Sequence, residues 1–324
     1  MFHRLTSFQR LALATTAITY VLILVGGLVR ASGAGLGCPD WPRCFGGWVP
    51  PMSAADLPPQ FDPSQFNPAL MWTEYLNRLL GVTVGFFILA TVISAWRHHR
   101  REPRILWTSI AAVLLTGFQG WLGGRVVAAE LAAWIVTVHM IVALVIVQML
   151  LYVTVAAMTG RDVRRAEALA PADPTLRTSA TAQAVALRTS LMALVVLTLI
   201  QIGLGTQVRG AVDAALDAGT PRASALATVG AIDYLHRDAA IVVLVGAILL
   251  VAWLLKGPPK GGRPITLIRW SYAVLGLAVV QVGLGILMAY ISLLPAAQVL
   301  HLTLASLLLG AETVLFLLSR RETT

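Results

Sequence analysis

Charged residues are what this sequence has least of. Only 12% of its 324 residues are Asp, Glu, Lys or Arg, against about a quarter in an ordinary soluble domain. Charge this sparse cannot coat a globule of 34.6 kDa, and 57% hydrophobic residues with a mean hydropathy of +0.79 exclude a water-soluble fold. Cysteine is nearly absent: Cys38 and Cys44 are the two in the chain, and no histidine lies near them in sequence, which makes them a poor metal site. No flavin or quinone motif is found. The first 30 residues lack a small-residue cleavage site and read as a retained span rather than a signal peptide. No Arg-rich, Ser-rich transit segment precedes them, which favours a bacterial plasma membrane.

What is present in quantity is long apolar runs. Runs of about 20 residues at about 1.5 Å per residue match a bilayer core of about 30 Å. Eight windows qualify, near residues 10–30, 71–96, 105–124, 131–158, 187–208, 232–255, 269–290 and 295–318. Eight spans put both termini on one side. With the termini lie Arg4, Arg10, Arg97, Arg100, Arg101, Arg104, Arg161, Arg164, Arg165, Arg177, Arg188, Lys256, Lys260, Arg263, Arg269, Arg320 and Arg321, which are 17 of the 24 cations. The other side holds Arg30, Arg43, Arg78, Arg125, Arg209, Arg222 and Arg237. The excess of positive charge places the termini in the cytoplasm. The net charge of +9 is thus a topology signal and not a nucleic-acid footprint.

The two cysteines fall in the first outer loop, in Gly35-Leu36-Gly37-Cys38-Pro39-Asp40-Trp41-Pro42-Arg43-Cys44. That face is oxidising, and the pair reads as a disulfide. Two roles stay open: a staple contributing about 2–3 kcal/mol, or a strained, redox-active pair.

The chain carries an internal duplication. Glu74-Tyr75-Leu76-Asn77-Arg78 opens the second span and Asp233-Tyr234-Leu235-His236-Arg237 the sixth, 159 residues apart. Gln119-Gly120-Trp121-Leu122-Gly123 in the third span pairs with Gln281-Val282-Gly283-Leu284-Gly285 in the seventh, and His139 with His301, both at an offset of 162. Arg30 and Arg209 close the first and fifth spans, and Gln201-Ile202-Gly203-Leu204-Gly205 repeats the Gln/Gly pattern. These matches describe an all-α membrane protein of two tandem four-helix bundles, related by a pseudo-two-fold axis along the membrane normal. The expected division is 1–160, a cytoplasmic linker 161–186, and 187–324. A small-molecule transporter would instead show inverted repeats and broken helices.

Three histidines lie inside spans. His139, His236 and His301 sit at similar depth in apolar surroundings, where a polar group is costly and marks a functional site. The alternative for each is an interhelical hydrogen bond. His236 and His301 come from different helices that can face one another, the arrangement of bis-imidazole haem ligation; a metal other than haem iron, assisted by Asp233, is the competing reading. Arg30, Arg78, Arg125, Arg209 and Arg237, at outer helix ends, are candidate contacts for haem propionates, or else reach lipid headgroups. The small residues of the Gln/Gly pattern thin one helix face, for close packing or for a flat macrocycle.

The loop run around Cys38, the Glu74-x-x-x-Arg78-Leu79-Leu80-Gly81 segment, the spaced intramembrane histidines and the duplication together resemble the bacterial haem A synthase family along nearly the whole chain. The resemblance implies an enzyme that oxidises one methyl substituent of haem O to a formyl group, giving haem A for terminal oxidases. It implies haem B held by His236 and His301 in the C-terminal unit, and the substrate haem O in the N-terminal unit near His139. It also implies a role for Glu74 in moving protons or stabilising a cationic intermediate; a simple ion pair with Arg78 is the other reading. Haem O synthase and an electron donor are the implied partners; oligomeric state is not legible. One departure stands out: Asn77 occupies the place of the family's histidine in Glu-x-x-His-Arg. A carboxamide is a poor ligand for haem iron. A natural variant with a five-coordinate substrate haem, an engineered His-to-Asn change, and a relative without the activity all fit this. The competing function is therefore a non-catalytic membrane b-type cytochrome or haem carrier with an impaired N-terminal site.

Overall fold

The computed structural model describes residues 5–167, 174–256 and 264–320. Arg4, Lys260, Arg263 and Arg321 of the charge count, and residues 168–173 of the expected linker, lie outside the described residues. Among the described residues the helices are α1 (Ser7–Ala31), α2 (Pro68–His98), α3 (Pro103–Ala128), α4 (Ala133–Glu167), α5 (Pro174–Asp217), the short α6 (Arg222–Ala225), α7 (Ala231–Lys256), α8 (Ile265–Tyr290) and α9 (Pro295–Ser319). Eight of them, all but α6, are long and apolar enough to cross a membrane. The chain is an all-helical, multi-pass membrane protein.

Local sequence sets where these helices begin. Thr6 and Gln9 form a capping box at the start of α1: the Thr6 hydroxyl accepts the Gln9 N–H at 3.2 Å, and Gln9 Oε1 accepts the Thr6 N–H at 2.9 Å. Asn67 caps α2 through the N–H groups of Ala69 and Leu70, with Pro68 in the first turn where its missing N–H costs nothing. The fifth span was expected over 187–208. Its helix runs from Pro174 to Asp217; at the C-terminal end Ala211, Ala214, Ala215 and Leu216 are good helix formers and Arg209 pairs with Asp213 one turn on.

By its contacts the chain divides into two compact units, Met1–Leu150 with Leu294–Thr303, and Leu151–Leu293 with Leu304–Thr324. The first ten residues of the latter helix region join the first unit because Val299 and Leu302 lie against Gly27 of α1. In the first unit Val84 and Ile88 of α2, Ala112 of α3 and Ile146 and Leu150 of α4 form the core, with Ile18 and Leu22 of α1 packed on it. A buried hydrogen bond between the hydroxyls of Thr15 and Thr91, 2.9 Å, joins α1 to α2, a polar link suited to a setting where apolar contact alone gives helices little reason to associate. In the second unit the core draws Leu187, Leu191 and Leu194 from α5, Val243 and Ala247 from α7, Val274 and Ala278 from α8, and Leu308, Ala311 and Leu315 from α9. Helix α9 buries 56% of its apolar window and α8 only 17%. The last helix is therefore a packing centre, whereas α8 turns most of its apolar surface outward.

Candidate functional site

The loop between α1 and α2 is held by one ion pair on α2. Cys38 and Cys44 form a disulfide with a Cα–Cα distance of 4.8 Å, both cysteines fully buried beside Phe45 and Met71. Glu74, one turn into the apolar part of α2, accepts the Cys38 N–H on Oε2 at 2.8 Å and pairs with Arg78 through Oε1. The Arg78 guanidinium then donates to the carbonyls of Asp40 (2.7 Å), Arg43 (2.8 Å) and Cys38 (3.2 Å). The loop approaches α2 so closely that a Cβ on Gly37 would lie 2.5 Å from the Leu70 carbonyl. Trp41 reaches across to α3 and stacks on Gly124, where a Cβ would stand 2.9 Å from the indole. Beside it an open cleft of about 360 Å³ is lined by Asp40, Trp41, Trp121 and Arg125.

Removing Arg78 strands a buried carboxylate and three loop carbonyls. Arg78→Ala is expected to cost about 3–5 kcal/mol, read as a drop in thermal unfolding temperature in detergent. Arg209→Ala breaks a pair whose side chains are 27% and 30% exposed and should cost under about 1 kcal/mol. Equal losses would show that Arg78 does not clasp the loop.

The α2 pair has a repeat-related copy on α7. Asp233, buried, pairs with Arg237 at the same i,i+4 spacing, and Arg237 also donates to the Tyr290 hydroxyl at 3.1 Å and covers its ring. Of the arginines read as propionate contacts, Arg78, Arg209 and Arg237 thus have carboxylate partners, Arg125 lines the cleft, and Arg30 lies in the last turn of α1. Asp213 and Tyr290 were missed from sequence. The i,i+4 spacing would have found Asp213, but no local signal finds Tyr290, 53 residues from its partner.

Two of the three histidines rest on glycines of the Gln/Gly pattern. His139 on α4 lies with Cε1 3.5 Å from where a Cβ on Gly123 would be, and Gln119, one turn earlier on α3, donates its side-chain N–H to the His139 carbonyl at 2.9 Å. The His139 Nδ1 is buried and has no hydrogen-bond partner among the described residues. His236 on α7 is packed more tightly: a Cβ on Gly205 would be 3.0 Å from its Cε1, and its ring donates to the backbone carbonyl of Gln201. Gln and Gly stand four residues apart in each case, so both face the same histidine. Asn77 on α2, the repeat partner of His236, turns a buried Oδ1 inward with no partner among the described residues. His301 is half-buried on α9, three turns above a buried Glu312 on the same face. Among the described residues no three His, Cys, Asp or Glu side chains gather to hold a metal ion.

These features define a helical membrane protein with histidines on its spans, two of them set on glycines, and a disulfide-closed loop clasped by an ion pair. Residues 9–313 match the COX15-CtaA family, described as cytochrome oxidase assembly protein, and the chain belongs to that family. Curated relatives include proteins named heme A synthase from Geobacillus kaustophilus, 32% identical over 124 residues, and from Alkalihalophilus pseudofirmus, 35% identical over 123 residues. A third, from Shewanella oneidensis, is 29% identical over 140 residues. The matched stretches cover 38%, 37% and 42% of this chain and 34%, 36% and 42% of the relatives' own lengths.

Proposed function

We propose that this protein is a haem A synthase of the bacterial plasma membrane, with its termini in the cytoplasm, built as two tandem four-helix repeats. The substrate is haem O, and the reaction oxidises one methyl substituent to a formyl group. As the methyl becomes a formyl group, one water supplies the oxygen and four electrons and four protons are released; the electrons pass to an acceptor, with dioxygen as the terminal oxidant. The C-terminal repeat holds a resident haem B through His236 and His301, and the N-terminal repeat receives haem O beside His139.

The observation that carries this reading is the seating of His139 and His236 on Gly123 and Gly205. An imidazole packed edge-on against a glycine is fixed in orientation, and the His139 Nδ1 is a buried donor atom without another task. Both properties suit axial ligation of a flat macrocycle. A bound haem supplies one-electron chemistry; the chain's own groups bind, orient and keep water out. Gln201 fixes the His236 ring through its carbonyl, and Gln119 fixes the helix turn that carries His139. Arg125, in its cleft, is the arginine best placed to meet a propionate, since Arg78, Arg209 and Arg237 are already matched by acids. Glu74 acts first on the loop. Its carboxylate is engaged by Cys38 and Arg78, so any part it plays in proton movement runs through that clasp. The Cys38–Cys44 bond closes a small loop and contributes about 2 kcal/mol in the chain-entropy account. Haem O synthase, as the source of substrate, and a membrane electron-transfer partner that links the haem to the oxidant are the partners this reaction needs.

The test is direct. The purified protein, reduced, should show a b-type haem spectrum, and incubation with haem O and an electron donor under air should give hydroxylated and formylated haem by mass spectrometry. Absence of the spectrum, unchanged by His236→Ala and His301→Ala, removes the haem reading altogether. A spectrum without product leaves a b-type cytochrome.

A further inference from the structure

We propose that Glu312 and Thr198 form a proton-binding site in the second unit, which takes up a proton when the C-terminal repeat takes up an electron. The electron half of this statement rests on the resident haem proposed above; the proton half rests on the geometry alone.

Glu312 is fully buried near the middle of the cytoplasmic half of α9. The hydroxyl of Thr198, itself buried on α5, donates to Oε1 at 2.8 Å, and Oε2 is buried with no partner among the described residues. No cation pairs with it among the described residues, in contrast to Glu74 and Asp233. The elements that build this core offer none: residues 191–207 of α5, 239–255 of α7 and 270–289 of α8 contain no Asp, Glu, Lys, Arg or His. Their one titratable side chain, Tyr272, is turned outward, and on α9 the other titratable group is His301. An ionised carboxylate with one hydroxyl for company inside a membrane is costly, so the group holds a proton until a positive charge nearby makes the anion bearable.

The duplication shows that packing does not call for an acid here. The offset of 162 that relates His139 to His301 places Leu150, 2% exposed, opposite Glu312. The offset of 179 that relates Arg30 to Arg209 places Thr19 opposite Thr198, and both threonines are buried. The N-terminal repeat therefore keeps the threonine and fills the acid's place with leucine. Glu312 follows His301 by eleven residues, about three turns, so both lie on one face of α9 and about 16 Å apart along its axis. The balanced step is a carboxylate plus one proton giving the carboxylic acid as one electron enters. Departure of the electron returns the proton. Since proton binding favours the reduced form, the midpoint potential falls as pH rises.

The experiment is a potentiometric titration of the haem-loaded protein at several pH values, with redox-difference infrared spectra in the carboxylic-acid C=O region. Wild type should show a potential that falls with pH and a C=O band that appears on reduction. Glu312→Gln and Glu312→Leu should show a pH-independent potential and no band, and the leucine variant should fold as its repeat partner Leu150 does. A slope or band that survives Glu312→Gln overturns the proposal, as does a pH-independent wild type. If neither Glu312 variant assembles, Thr198→Val is read instead: it should displace the band, and an unmoved band overturns the proposal. A chain that carries no b-type haem overturns the functional reading itself, which is a different failure.

Discussion

Gly205→Val is expected to lower the haem content of the purified protein about 10–100-fold, the range seen when groups that orient a metal ligand are lost, although residue 205 binds nothing itself. The cause is steric. A Cβ at this position already meets His236 Cε1 at 3.0 Å, so Gly205→Ala forces the ring aside by a few tenths of an ångström. Valine adds two more carbons on a stiff χ1 and drives the ring further from the orientation set by the Gln201 carbonyl. Gly123→Val should act in the same direction on the substrate site and more weakly, because its Cβ stands 3.5 Å from the His139 ring. Gly203→Ala is the control: nothing lies within 4 Å of a Cβ there, and haem content should not change. The measurement is the pyridine haemochrome absorbance per mole of protein. If Gly205→Val and Gly203→Ala retain haem equally, the glycine cradle is not what orients His236.

The Gln/Gly pattern illustrates how far the sequence reaches. Its recurrence in three spans showed that one helix face is thin, and the eight spans themselves followed from apolar runs, because length and hydropathy decide membrane crossing without reference to neighbours. Which glycine of each pattern carries a ring was not legible, since that depends on the rotation of two helices about their axes. The contact falls on Gly123 and Gly205, while Gly120 and Gly203 are open. Glu74 shows the same limit. The spacing to Arg78 allowed an ion pair, but the three carbonyls that Arg78 gathers lie 35–40 residues away in a loop without periodicity. Glu312 did carry a signal, as the only acidic residue in the last span, and its weight became apparent only when the structure showed it buried with a single partner.

Asn77→His is expected to raise retention of haem O, and its conversion, at least about tenfold, equivalent to about 1.4 kcal/mol of binding. The carboxamide of Asn77 faces the interior with its Oδ1 unpartnered among the described residues, so the position already points where a ligand is needed. The repeat indicates where the ring would lie. The offset of 179 that relates the first and fifth spans makes Gly26 the partner of Gly205, and nothing lies within 4 Å of a Cβ on Gly26. The place that His236 fills over Gly205 corresponds by the repeat to the open space over Gly26. An imidazole at this position would give the N-terminal repeat a second nitrogen ligand for haem iron beside His139, in place of an amide oxygen, which is a poorer ligand for iron than imidazole. The combination Asn77→His with Gly26→Val should lose the gain, because the added side chain fills the hollow the ring requires. Two haems per chain by absorbance, with faster formation of formylated haem by mass spectrometry, is the expected result. A single haem and an unchanged rate in Asn77→His would mean that the N-terminal repeat receives haem O through His139 alone.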